Sequence, residues 1–345
     1  MAQTGTSNHP ATAGRSGPRA GLAMLIPPVV GGLLLLVALV GLIGTAIRDP
    51  RPHDIPVGLA GPPPAVQQIS AAFSSAAPGT FQFTTYASEA DGRAALDSWA
   101  VDGVLVMGGS SPRLIVAGAA GDAATGVITA AFTNAFKAQG ATVTVETVHP
   151  FAPGDGHGLI LFFVVVAVII CSLVSQALLF GTANDAGFGG RVGVVVVFGA
   201  LAGLVGMGTA VWIAGGYGSG FWTAVGLVAL ASMAVGAVVA GLTRLLGAPG
   251  LALAALVVVL LDLVSSGGPV GSQLLPDFYR WLAPWMPATQ LYSSLRGALY
   301  FDGADLVNPL IGLVTWLVGG IVIMGLGEQV NARRRSGSNA VAAAH

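Results

Sequence analysis

The residues that could do chemistry are few, and their spacing restricts them further. The single cysteine, Cys171, lies inside an apolar run, so neither a disulfide framework nor a thiolate metal site is available. The five histidines, His9, His53, His149, His157 and His345, fall in tails or loops without the i, i+4 pairing of a helical metal site. His149 and His157 flank Pro150, Pro153 and Gly154 and read as part of a linker. The single lysine, Lys137, is followed by Ala138, whereas a phosphate-cradling P-loop needs Gly-Lys-Ser/Thr. Gly-x-Ser-x-Gly, His-Glu-x-x-His and paired carboxylates on an apolar face are also missing. The expectation is a chain that is not an enzyme, with no catalytic residue, cofactor or metal of its own. Any ATP hydrolysis would belong to a separate polypeptide. What remains is one acid near an apolar run, Asp262. An ionisable group at membrane depth costs roughly 2.5 to 3.5 kcal/mol on insertion scales and suggests function. Its closeness to Ser265-Ser266-Gly267-Gly268 also allows an interfacial, structural role, and both readings stand at this point.

The elements that must position such residues are apolar. Of 345 residues, 54% are hydrophobic and 8% charged, against about 25% charged in soluble domains. The fold class implied is a polytopic α-helical membrane protein with the lipid bilayer as its partner. It has about six transmembrane helices and one small extracytoplasmic α/β domain between helices 1 and 2. Net charge is near zero, and no nucleic-acid partner is expected. Residues 1–20 read as a disordered cytoplasmic tail and 21–47 as transmembrane helix 1, its apolar run from Pro28 to Ile47. A cleaved signal peptide is the rival reading of that run, disfavoured by its length.

Residues 48–157 hold 14 of the 29 charged residues and read as the α/β domain. Strands are expected at 55–61, 81–87, 102–108, 113–119 and 141–148, with helices around 64–76, 89–100 and 122–139. Ser88 with Asp91 suits a helix start, and Gly140 suits a stop. Residues 158–328 then form a five-helix membrane core, with apolar runs at 158–180, 192–214, 221–243, 246–264 and 307–327. Pro249-Gly250 predicts an interrupted start to the fourth of these. Residues 329–345 form a basic cytoplasmic tail.

With both termini cytoplasmic, the inner segments receive Arg15, Arg19, Arg191, Arg244, Arg333, Arg334 and Arg335. The short outer loops receive Arg280 and Arg296, which agrees with the positive-inside rule. Arg48 and Arg51 count against it.

The segment 270–303 lies on the outer side in this topology. Its stretch 274–303 holds two of six tryptophans and three of five tyrosines. Leu274, Phe278, Trp281, Leu282 and Trp285 share one helical face, which Pro284 and Pro287 end. Leu291, Leu295 and Leu299 with Tyr292 make a second stripe. One reading is an aromatic belt at headgroup depth. The other is an outer gate or lateral exit built from Phe278, Trp281, Trp285, Tyr292 and Arg296. Gly199 with Gly203, and Ser232, Gly236 and Ala240, supply small faces for helix packing, within a subunit or across a dimer. The loop 181–191, glycine-rich and nearly uncharged, reads as a turn or as a coupling point for an ATPase.

Residues 244–303 resemble the C-terminal core of ABC-2-type transporter membrane proteins, in the YhgE/Pip (phage infection protein) branch. The likeness lies in Gly247 to Gly250, Ser265 to Gly268, Leu275-Pro276, Pro284 to Pro287 and Leu295-Arg296-Gly297. The stretch 93–108 is similar to a helix and buried strand of that family's outer domain. Two features depart from it: an outer domain far shorter than in phage-receptor members, and "PVGSQ" after Gly268. The resemblance implies a bacterial plasma-membrane permease subunit working as a homodimer or heterodimer with a separate ABC ATPase. It would export a hydrophobic or amphipathic molecule. The alternative is a membrane-anchored scaffold or surface receptor that acts through its outer domain and transports nothing.

Overall fold

The computed structural model describes residues 30, 33–34, 36–46, 48, 50–109, 111–183 and 186–343. The expected tail at 1–20, parts of helix 21–47, Asn184 and Asp185 of the loop 181–191, and residues 344–345 lie outside them. The chain divides into two compact units, residues 1–44 and 45–345. The apolar helix α1 (Leu36–Ala46) begins in the first and ends just past its boundary; that piece alone is shorter than a membrane span.

The second unit begins with an α/β domain: β1 (Ile55–Ala60), α2 (Pro63–Ala76), β2 (Phe81–Tyr86), α3 (Glu89–Asp97), β3 (Gly103–Val106), β4 (Arg113–Ala117), α4 (Asp122–Ala138) and β5 (Thr144–Val148). The five strands form one sheet in the order β2-β1-β3-β4-β5. All neighbours are parallel except the β3–β4 pair, where Val104 lies opposite Ile115. The alternation of apolar side chains builds two cores. Ile55, Val57, Leu59, Leu105 and Leu114 meet Val66 of α2 and Ile128, Phe132 and Phe136 of α4. Val104, Ile115 and Ala117 on the opposite face meet Ala95 and Leu96 of α3. Ser88 caps α3, accepting from the Asp91 amide at 3.2 Å, as its sequence signature implies. Arg93 ties α3 to the edge strand by gripping Glu146 at 2.6 Å.

Among the described residues, five helical segments are long and apolar enough to cross a membrane: α5 (Leu159–Thr182), α6 (Phe188–Ala214), α7 (Phe221–Leu246), Ala248–Val270, and the Val307–Arg334 portion of α12 (Val307–Ala343). Helix α7 is the centre of the bundle, 72% of its apolar window being buried against 39% or less in the others. Gly199 and Gly203 let α6 close on it. A Cβ at Gly199 would lie 2.4 Å from the Met233 side chain, and one at Gly203 2.5 Å from the Val225 carbonyl. Ser232 shares a hydrogen bond of 2.9 Å with Ser172 of α5, Gly236 faces Gln176, and Ala240 packs with Val195 and Met324.

The fourth span is irregular in a different place from the one expected. Pro249 sits in the first turn of α8 (Ala248–Ala255), where a missing N–H costs nothing, so it starts the helix rather than breaking it. The irregularity comes later: Leu256–Leu261 is a π-helical turn, followed by α9 (Asp262–Ser265) and two 3-10 turns. Helix α10 (Asp277–Leu282), a 3-10 turn at Ala283–Trp285 and α11 (Pro287–Tyr300) then precede α12.

Candidate functional site

The π turn re-aims the residue that follows it. Widening the helix by one residue per turn shifts the side chains beyond it to a new face. Asp262 is consequently fully buried, 0% exposed, with Oδ1 accepting the Ala288 backbone N–H at 2.8 Å. Met286, at the start of α11, has no side chain able to cap that helix. Asp262 supplies the missing acceptor from another helix. Of its two sequence readings, the structural one has a definite partner. Asp155 acts in the same way at α5, accepting the Ile160 N–H at 3.0 Å.

Helix α11, shorter than a span, is buried on nearly every side. Leu291, Leu295 and Leu299 enter the bundle core beside Val228 and Val235 of α7, and burying each leucine contributes roughly 1.5 to 3 kcal/mol. The five proposed gate residues therefore separate into two groups. Phe278, Trp281 and Trp285 are 55%, 69% and 66% exposed, whereas Tyr292 and Arg296 are buried. The exposed group is held from behind by the Trp316 indole, which donates to the Trp285 carbonyl at 2.7 Å.

The far end of α11 meets the α/β domain. Arg296, 8% exposed, donates from Nε to the Ala119 carbonyl at 2.8 Å. Its guanidinium lies over two rings, 4.9 Å from the centre of Trp99 and 5.3 Å from that of Tyr292. Each such stacking contributes roughly 0.5 to 2 kcal/mol. Trp99 in turn stacks on Phe301, with centroids 4.7 Å apart. Gly121, at φ +125°, makes room for the Arg296 head, since a Cβ there would lie 3.2 Å from Nη2.

Between these parts is a cavity of about 240 Å³, lined among others by Trp99, Asp102, Gln273, Thr289, Tyr292 and Arg296, with Asp305. Asp102 is 4% exposed and accepts the Trp99 indole N–H at 3.1 Å. Burial pushes its carboxyl up to about 6, against the opposing influence of the Arg296 charge and of hydrogen bonds from Trp99 and Gln273. Three polar atoms here have no close hydrogen-bond partner: Asp102 Oδ2, Thr289 Oγ1 and Arg296 Nη2. Such atoms are uncommon in buried positions and call for a reason. Sequence reasoning singled out Arg296 and Tyr292 but missed Trp99, Asp102, Gln273 and Thr289. The cavity lies toward the start of β1 and β3, at Pro56 and Asp102. That is away from the carboxyl ends of the parallel β1 and β3, though Ala120 and Gly121, just after the carboxyl end of β4, also line it.

At the other end of the bundle, Arg244 pairs with Glu328 at 2.6 Å, and Asn331 donates to the Arg244 carbonyl at 2.8 Å. Arg244 and Asn331, with Phe180, Gly247 and Arg334, line a polar pocket of about 300 Å³. Arg191, at the start of α6, is buried and donates to the Ala186 carbonyl at 3.0 Å, closing the short turn after α5. His149 pairs with Asp97 at 2.8 Å and His157 with Asp122, so both linker histidines brace the α/β domain.

No protein-family model matches this chain, and no curated protein or solved structure matches it significantly.

Proposed function

We propose that the chain is an ABC-2-type permease-like subunit, exporting a hydrophobic or amphipathic molecule across the plasma membrane with a separate ATPase. The observation that carries this reading is the construction between the fourth and fifth long spans. A π-widened helix sends a buried carboxyl to cap α11, a helix too short to span, which is nevertheless embedded in the bundle. A simple membrane anchor has no need of non-spanning helices at bundle depth, because irregular backbone there must be shielded by protein. The arginine distribution favours cytoplasmic termini and an extracytoplasmic α/β domain. The polar end formed by Arg191, Arg244, Glu328 and Arg334 is then the surface on which an ATPase would dock. In this reading Trp281 and Trp285 sit at headgroup depth beside the exit, and two copies work together.

The test is capture of the tagged protein from native membranes after brief cross-linking. A P-loop ATPase in near-stoichiometric amount, and vanadate-sensitive transport after reconstitution, are expected. A second reading, a membrane-anchored receptor or scaffold, is favoured by the cavity beneath the α/β domain and by how few residues join α5 to α6. Recovery of the chain with envelope proteins alone would overturn transport in favour of this reading.

A further inference from the structure

We propose that the cavity between the α/β domain and α11 binds a small zwitterion, its oxyanion on Arg296 and Thr289 and its ammonium on Asp102. The unpartnered atoms dictate the chemistry. Arg296 Nη2 offers charged donors, Thr289 Oγ1 a hydroxyl and Asp102 Oδ2 an anionic acceptor, and all three belong to residues lining one space. Since neither Nη2 nor Oδ2 has a partner, the guanidinium and the carboxylate do not satisfy each other there. A lone anion would meet Arg296 but also Asp102, with Asp305 at the rim. A lone cation would meet the acids but also a buried guanidinium. A molecule carrying both charges a few bonds apart answers each group with its opposite. Charged partners of this kind are the strong hydrogen-bonding ones.

The volume agrees with this size of ligand. About 240 Å³ is roughly eight times a water molecule's share of the liquid, the scale of an amino acid or a phosphoethanolamine group. Gly121 keeps backbone, rather than a side chain, beside the Arg296 head. Trp99 and Tyr292 both pack against that head, and the Ala119 carbonyl takes its Nε, so its direction is set before a ligand arrives. Ser266, Ser272, Gln273 and Ser293 add neutral polar groups to the wall. The site does not depend on the transport reading, and it would serve a permease or a receptor equally.

The test uses the full-length protein purified in detergent at pH 7.5, where the Asp102 carboxyl is ionised. Titration calorimetry would compare glycine, L-serine and phosphoethanolamine with acetate and ethylammonium, which each carry one of the two charges. Saturable binding of at least one zwitterion is expected, weakened about tenfold or more by Thr289→Val and by Asp102→Asn. Thr289→Val removes a hydroxyl at nearly constant shape, so it separates loss of binding from loss of folding. Repeating the titration in phosphatidylethanolamine and phosphatidylglycerol nanodiscs distinguishes two sources of the same chemistry. Phosphoethanolamine binding masked only by phosphatidylethanolamine would assign the site to a lipid headgroup. Equal binding in both would assign it to a free small molecule. The proposal is overturned if no zwitterion binds at millimolar concentration. It is also overturned if acetate or ethylammonium binds as well as the zwitterions, or if both variants bind like the parent.

Discussion

Two buried carboxyls, Asp262 and Asp102, do different work, and single substitutions separate them. Asp262 accepts one backbone N–H at the start of α11. An asparagine oxygen can do the same, so Asp262→Asn should leave the thermal midpoint in detergent nearly unchanged. Asp262→Ala removes the acceptor and strands the Ala288 N–H, which should cost about 1 to 3 kcal/mol. If the asparagine variant were as damaged as the alanine one, charge rather than capping would be the function of Asp262. Asp102 behaves oppositely, because burial raises its carboxyl from 3.8 to about 6. A raised carboxyl binds its proton more tightly in the folded chain, so its contribution to stability is fully present below about pH 4. That contribution is lost as pH rises through 6. The loss is on the order of 3 kcal/mol. Unfolding midpoints measured from pH 4 to 7 should therefore fall more steeply for the parent than for Asp102→Asn. Matching slopes would show that Asp102 is more solvated than its burial indicates.

Among the elements, the aromatic segment and α11 are neighbours in sequence but occupy different surroundings. Phe278, Trp281 and Trp285 are exposed, while Trp99 is half-buried against the second core of the α/β domain. In vesicles of brominated lipid, the fluorescence of a protein retaining only Trp281 and Trp285 should be strongly quenched. One retaining only Trp99 should not be. Comparable quenching of both would place the aromatic segment away from the headgroups.

The elements themselves were legible in the sequence wherever one period dominated. The five strands, three helices and their order in the α/β domain follow from alternation and turn residues, and Ser88 marked its cap correctly. The five long apolar helices follow from hydropathy. The π turn at Leu256–Leu261 was not legible, because six apolar residues read alike in α and π geometry. Pro249, the expected point of interruption, is harmless in a first turn. Nor could spacing show that Arg296 would reach Ala119, 177 residues earlier in the chain. The cavity is made by tertiary contact between segments whose local patterns are ordinary.

For the whole molecule, the orientation of the chain can be read directly, because Cys171 is its single cysteine. In a Cys171→Ser background, a membrane-impermeant maleimide applied to intact cells should label Ser75→Cys, exposed on α2. It should reach Ser336→Cys, exposed on α12, only after permeabilisation. The reverse pattern would invert the proposed topology and move the α/β domain to the cytoplasm.

One element joins the two halves of this molecule in a mechanical sense. Helix α11 has 14 residues, so it is a rod about 21 Å long. One end is clamped to the fourth span by Asp262, and the other is clamped to the α/β domain by Arg296 and the Trp99–Phe301 stack. A rod fixed at both ends cannot pivot independently of either. Any force that tilts the α/β domain must therefore either tear Arg296 from Ala119 or arrive, as torque, at the widened turn before Asp262.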